Sequence, residues 1–195
     1  MNMIAFLSYL LVTAITPGPN NIMAMTNAGK VGFKKGLRFN FGVLAGFLIV
    51  MSLCTAFTSL LYDSIPQIAP IMRVFGAGFM LWLAWTVWRD EPHQDKTHAV
   101  QANSLLSGMV LQFVNVKVIL YGITGISTFV APYYKGIIAL MPFAILMSFI
   151  GFASTCLWAL CGSFLAPVFH RHKRMMNVVF ALLLIVCAVS QLIDI

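Results

Sequence analysis

The chain has 195 residues, 61% of them hydrophobic and 9% charged, with a formal net charge of +7. Soluble domains carry roughly 45–50% apolar and about 25% charged residues, so this composition excludes a soluble fold and points to an all-α polytopic membrane protein. At about 20 apolar residues per span, the length predicts six transmembrane helices in one transmembrane domain, with no room for an extramembrane one.

The first predicted span runs from about Met3 to Asn27 and lacks the basic n-region and cleavage site of a removable signal peptide. Thr16-Pro17-Gly18-Pro19-Asn20-Asn21 interrupts it, because each proline removes an N–H and drives the residue before it out of the helical region. At membrane depth such a break is tolerated only where it faces protein or a polar cavity. A loop from Gly29 to Gly36 follows, and with Arg38 it brings Lys30, Lys34 and Lys35 together. The second span covers about Phe39 to Tyr62. Its Gly42-Val43-Leu44-Ala45-Gly46 is a GxxxG pattern that favours close packing within the chain over a seam with a second copy, although it leaves a homodimer open.

Asp63-Ser64-Ile65-Pro66 turns the chain into a third span, which ends at Trp88 with Trp82 and Trp85 on one face as an interfacial belt. Arg89 to Asn103 is a hydrophilic linker between a first repeat of about residues 1–89 and a second of about 104–195. His93 and His98 in that linker match no metal-ligand spacing. The fourth span runs from about Ser104 to Val130, Ala131-Pro132 turns the chain, and the fifth runs from about Ile137 to Phe169. The basic segment His170 to Arg174 precedes a last span, Met175 to about Ile193.

With little beyond Lys135 and Arg73 on the opposite side, lysine and arginine cluster between spans one and two, three and four, and five and six. The positive-inside rule makes these loops cytoplasmic, rather than a nucleic-acid surface, and puts both termini outside. Three spans per half would insert the halves in opposite directions. Faint similarity supports inverted repeats: Lys34-Lys35-Gly36-Leu37 resembles Tyr134-Lys135-Gly136-Ile137, and Arg73-Val74-Phe75 resembles Asn177-Val178-Val179.

An inverted repeat predicts that the broken first span has a partner in the fourth, which carries Gln112-Phe113-Val114-Asn115-Val116-Lys117 at its middle. Lys117 lies roughly 18–21 Å from either end of that span at 1.5 Å per residue, too deep to snorkel. A charged lysine at the bilayer centre costs about 2.5–3.5 kcal/mol on insertion scales, so it should meet a partner or a wet cavity. Two readings stand: a structural lysine on carbonyls freed by the helix break, or a site residue. Interrupted spans in corresponding positions point to a transporter's binding site. The half-helix opening at Pro19-Asn20-Asn21 suits a carboxylate. Lys117 would add positive charge, and Asn20, Asn21, Gln112 and Asn115 offer amides. Tyr121 lies one turn beyond Lys117, and the carbonyls of Ala14 to Thr16 could take an ammonium. A small zwitterion fits this set.

Asp63, Asp90, Glu91, Asp95 and Asp194 all fall in loops or at helix ends, so no counter-charge for a dibasic substrate is evident and Lys117 is the one central titratable candidate for proton coupling. Cys54 and Cys156 hold roughly equivalent places in the two halves, which raises a transmembrane thiol–disulfide carrier as the rival reading. No cysteine falls at either break. A passive channel is a third.

Thr16 to Asn21 after a short apolar run, with Gly32-Phe33-Lys34-Lys35-Gly36 beyond it, resembles the LysE/RhtB amino-acid exporter family. Leu111 to Gly122 and Gly46 to Met51 look most like its cysteine/O-acetylserine branch. The resemblance implies an exporter, not an enzyme, needing no cofactor or metal. It would sit in a bacterial inner membrane, in contact with lipid, and move small neutral amino acids outward by alternating access. Cysteine and O-acetylserine lead, with homoserine or threonine as alternatives. The substrate-binding residues would be Thr16, Pro17, Gly18, Pro19, Asn20, Asn21, Gln112, Asn115, Lys117 and Tyr121. Val116 stands where many members have proline between the asparagine and the lysine. That departure predicts a softer second break, a bend rather than an unwound segment.

Overall fold

The computed structural model describes residues 1–61, 104–165 and 173–193, and between them Val74, Ala77, Gly78, Leu81, Trp82, Ala84, Trp85, Trp88 and Arg89. These comprise seven helices and no strand: α1 (Met3–Ile15), α2 (Pro19–Val31), α3 (Phe33–Leu61), α4 (Leu105–Val114), α5 (Val116–Thr124), α6 (Ile137–Phe164) and α7 (Lys173–Ile193). The Asp63–Pro66 turn and the linker with its histidines lie outside the described residues. So do residues 166–172, which include the end expected for the fifth span.

Local chemistry sets the ends of these helices. Asn2 caps α1 by accepting the Ala5 amide at 3.1 Å. The helix stops at Ile15, because Thr16 precedes a proline and takes an extended conformation with ψ 142. Pro19 then opens α2 at the first helical position, where its missing N–H removes no helical bond. Ser104 caps α4 through the Ser107 amide at 3.0 Å. Asn115 alone separates α4 from α5, at φ −84 and ψ 93. From Gly125 to Val130 α5 continues as a π-helical turn.

The two broken spans emerge as bent pairs, α1–α2 at 49° and α4–α5 at 63°. The second pair bends more sharply than the first, so it is not the softer in angle. It is a bend and not an unwound segment, however, as Val116 in place of proline predicts. A single unwound residue suffices without proline, because Asn115 leaves the helical region and its side chain is drawn to α2. With α3 and α6, these pairs give up to four candidate membrane spans among the described residues.

The lysine-bearing loop expected from Gly29 to Gly36 contracts to one residue. Gly32 has φ 83, in the left-handed region that favours glycine, and α3 starts at Phe33. Lys34, Lys35 and Arg38 therefore lie on the first turns of α3. Gly136, at φ 85, precedes α6 in the same way. Gly36 sits inside α3 against Ala28.

Packing is inverted relative to a soluble protein. Gln112 and Asn40 are 0% exposed, whereas Ile138 is 91% and Ile4 80% exposed, as expected where hydrocarbon is the solvent. The tryptophans expected at the interface, Trp82, Trp85 and Trp88, are exposed, with the Arg89 guanidinium 4.7 Å over the Trp85 ring. α3 packs most extensively on α4 and α6, and α2 on α6. Glycines make this possible. A Cβ at Gly42 would overlap the Leu105 carbonyl, and one at Gly46 would lie 2.6 Å from the Met109 carbonyl oxygen. The GxxxG pattern thus serves contact within the chain.

Candidate functional site

A helix that stops inside a membrane leaves carbonyls without intrahelical donors, and each needs a partner. At the end of α1 each one finds a protein donor. Thr13 O accepts the Thr16 hydroxyl at 2.8 Å, and Ile15 O accepts the Trp158 indole N–H at 3.1 Å. Ala14 O accepts Asn21 Nδ2 at 2.8 Å and the Ser154 hydroxyl at 2.7 Å. Thr16 O accepts Asn21 Nδ2 at 2.9 Å and Lys117 Nζ at 2.8 Å. Lys117 Nζ also donates to Thr16 Oγ1 at 2.9 Å and to Pro17 O at 3.3 Å.

An ammonium does sit on the freed carbonyls, as their chemistry suggests. It is the protein's own, however, and the Ala14–Thr16 carbonyls are not open to a substrate amine in this conformation. These bonds run to neutral oxygens, so they satisfy ammonium hydrogens without cancelling the charge. No aspartate or glutamate occurs among the described residues. Gly18 makes room for the lysine: a Cβ there would lie 3.0 Å from Lys117 Cδ and 3.2 Å from Nζ.

The second break is tied to the first through amides. Asn20 Nδ2 donates to Gln112 Oε1 at 2.7 Å, while Asn20 Oδ1 accepts both Gln112 Nε2 and Asn115 Nδ2 at 3.1 Å. Gln112 Nε2 also reaches Gly108 O at 2.8 Å. Asn115 Oδ1, although buried, accepts no hydrogen bond. Replacing Asn20 by alanine strands Gln112 Oε1 and Asn115 Nδ2. At about 1–3 kcal/mol for each buried unsatisfied group, the variant should unfold in detergent at a clearly lower Tm. An unchanged Tm would mean that the triad holds nothing together.

Between the breaks lies a cavity of about 30 Å³, lined by Thr13, Ala14, Gly18, Pro19, Asn20, Asn21, Phe47, Asn115, Lys117, Val118, Tyr121, Gly151 and Thr155. At roughly 10–15 Å³ per water, it has room for about two waters. Seven of the ten residues singled out in the sequence line it. Thr16 and Pro17 lie at its edge as acceptors for Lys117, and Gln112 stands behind Asn20. Tyr121 is packed in place, its ring 5.9 Å from that of Tyr9 and its hydroxyl 3.3 Å from Met147 O. Ala14 also lines it, a residue read from the sequence only for its carbonyl. Sequence reasoning missed Thr13, Phe47, Val118, Gly151 and Thr155, along with Ser154 and Trp158, which serve the α1 carbonyls. Ser154 and Thr155 were detectable as adjacent polar residues in an apolar run. Phe47 and Gly151 carry no such signal. Among the described residues, no cysteine lines the cavity.

The family model described as "LysE type translocator" matches residues 11–194. The chain belongs to the LysE family. This LysE-family protein is 40% identical over 185 residues to the "Cysteine/O-acetylserine efflux protein" of Escherichia coli (strain K12), covering 95% of this chain and 94% of that one. It is 38% identical over 190 residues to the protein of the same name from Klebsiella pneumoniae subsp. pneumoniae, covering 97% and 96%. The protein of that name in Shigella flexneri is 40% identical over 185 residues, with 95% and 94% covered. No solved structure matches this LysE-family chain. Membership makes it a multi-pass membrane transporter, and the apolar surface of its helices agrees.

Proposed function

We propose that this protein exports small neutral amino acids, cysteine and O-acetylserine foremost, across the bacterial inner membrane by alternating access. The observation that carries the reading is that two oppositely polarised groups meet at one cavity. Lys117 holds an ammonium beside the N-terminus of α2, and Asn115, from the facing break, has a spare acceptor. The carboxylate of a zwitterion would take the first and its ammonium the second, once the walls part enough to admit it. Thr16, Pro17 and Gly18 seat the lysine in this reading, and Pro19, Asn20 and Asn21 open the half-helix. Gln112 fixes Asn20, and Tyr121 forms a wall. The names of the relatives support the substrate class.

Six spans in two inverted repeats, about residues 1–89 and 104–195, accommodate the remaining observations. Each half places a bent helix pair, then a left-handed glycine, then a helix of 29 or 28 residues. The basic segments put that end of the bundle in the cytoplasm and both termini outside.

Cells overproducing the protein should accumulate extracellular cysteine and O-acetylserine relative to cells without it. No rise in any neutral amino acid would overturn the reading. Replacing Cys54, Cys156, Cys161 and Cys187 together by alanine should leave export in place. Loss of export from protein that still reaches the membrane would instead favour the thiol–disulfide carrier.

A further inference from the structure

The cavity wall divides by chemistry. Asn20, Asn21, Asn115 and Lys117, with Thr13 and Thr155, supply its polar groups, while Phe47, Tyr121 and Gly151, in mutual contact through the Phe47 ring, form an apolar patch. Two glycines fix Phe47. Gly46, just before it, presses α3 against α4: a Cβ there would lie 2.6 Å from both Gln112 Cγ and Met109 O, so the backbone carrying Phe47 has little freedom. Gly151 on α6 receives the ring. A Cβ at that position would lie 2.6 Å from Phe47 Cζ, 2.9 Å from Cε2 and 3.0 Å from Cε1. The ring tip thus fills the space in which any other residue at 151 would place its side chain.

Phe47 meets Tyr121 edge-on, with centroids 6.3 Å apart and planes at 86°. The two rings differ in how they are held. Tyr121 bonds Met147 through its hydroxyl and stacks on Tyr9. Phe47 has no polar atom to tether it and stays by packing alone. Of the two, Phe47 is the ring whose position the size of its neighbours decides.

We propose that Phe47, seated against Gly151, is the selectivity element of the transporter. It closes the apolar end of the site and so restricts transport to amino acids with short side chains. The inference rests on the cavity being the substrate site. Shortening Phe47 should open space for longer apolar side chains, and a methyl group at Gly151 should drive the ring forward and narrow the site. In a hydrophobic pocket one methylene changes discrimination by about 10–200-fold, so the shifts are large enough to read.

Purified protein in proteoliposomes provides the test. Uptake of labelled O-acetylserine is competed with unlabelled cysteine, O-acetylserine, methionine and leucine, and half-inhibitory concentrations are compared as ratios. In the parent protein methionine and leucine should compete poorly. Phe47→Ala should improve their ratio to O-acetylserine about tenfold or more, and Phe47→Leu should change it less. Gly151→Ala should weaken O-acetylserine relative to the shorter cysteine. If Phe47→Ala does not transport, protection of Phe47→Val against thermal unfolding by the same four amino acids gives the same ratios. Ratios unchanged in the variants overturn the inference. A parent protein that neither transports nor is protected by any of the four overturns the underlying reading instead.

Discussion

Replacing Lys117 by alanine should reduce export to near background while leaving the protein in the membrane. Lys117 Nζ bonds Thr16 O, Thr16 Oγ1 and Pro17 O at 2.8, 2.9 and 3.3 Å, which places a positive charge where α1 ends and α2 begins. A hydrogen bond to a charged group contributes about 1.5–3 kcal/mol. At 1.4 kcal/mol per factor of ten, losing one such bond to a substrate carboxylate costs roughly ten- to a hundredfold in affinity. Thr16 O keeps Asn21 as a donor, so the break is not stripped of partners. Lys117→Met separates charge from packing, since it retains an apolar stem against Gly18. It should export as poorly as the alanine variant. Lys117→Arg keeps the charge but brings a broad planar fork into a gap that tolerates no Cβ at Gly18 without crowding, so it should recover only part of the activity. Extracellular amino acids, normalised to the amount of protein in the membrane, decide the matter. Full export by Lys117→Met would show that the lysine is a structural prop and not a charge for the substrate.

What could be read before folding divides along a physical line. Pro17, Pro19 and the depth of Lys117 were legible because each carries a local cost: a lost N–H, a disfavoured conformation, a charge in hydrocarbon. Such costs exist before any partner is known. That the fourth span bends without unwinding follows from Val116 in place of proline, but the sharpness of the bend at Asn115 has no local mark. What produces it is a tertiary bond to Asn20, and a bond across 95 positions leaves no trace in local sequence. The same holds for the partners of the α1 carbonyls: Ser154 stands out as a polar residue in an apolar run, but nothing local shows that it and Trp158, both on α6, reach Ala14 and Ile15. Phe47 and Gly151 were invisible for a related reason. An aromatic residue and a glycine in apolar helices are ordinary, and only their contact gives them meaning. Gly32 illustrates a milder miss. The loop residues were correctly picked out, but a single left-handed glycine turns the chain so sharply that most of the expected loop becomes helix.

Gly108→Ala should lower the Tm in detergent and remove export together, by a route unlike that of Lys117. A Cβ at Gly108 would overlap the Phe39 carbonyl and lie 3.0 Å from the Val43 amide nitrogen. Its mates behave alike, with Gly42 against the Leu105 backbone and Gly162 against the Met25 backbone. Backbone cannot turn aside as a side chain can, so the added methyl must force whole helices apart. Overpacking of this kind costs about 1–3 kcal/mol even where side chains take up the strain, and here the upper part of that range is expected. All three contacts lie toward the end of the bundle that carries Lys30, Lys34, Lys35 and Arg38. At the other end the closure is made of side chains: Phe129 lies 5.8 Å from Phe6 and 5.3 Å from Tyr9, and Phe143 lies 6.0 Å from Phe6. Under the alternating access proposed above, opening would part a backbone seam at one end and move aromatic rings at the other. Gly18→Ala is the informative contrast, because its methyl group meets the flexible end of Lys117. It should lower export with little change in Tm. If Gly108→Ala unfolds at the parent temperature, the α3–α4 seam does not hold the bundle together, and close packing at the basic end is dispensable.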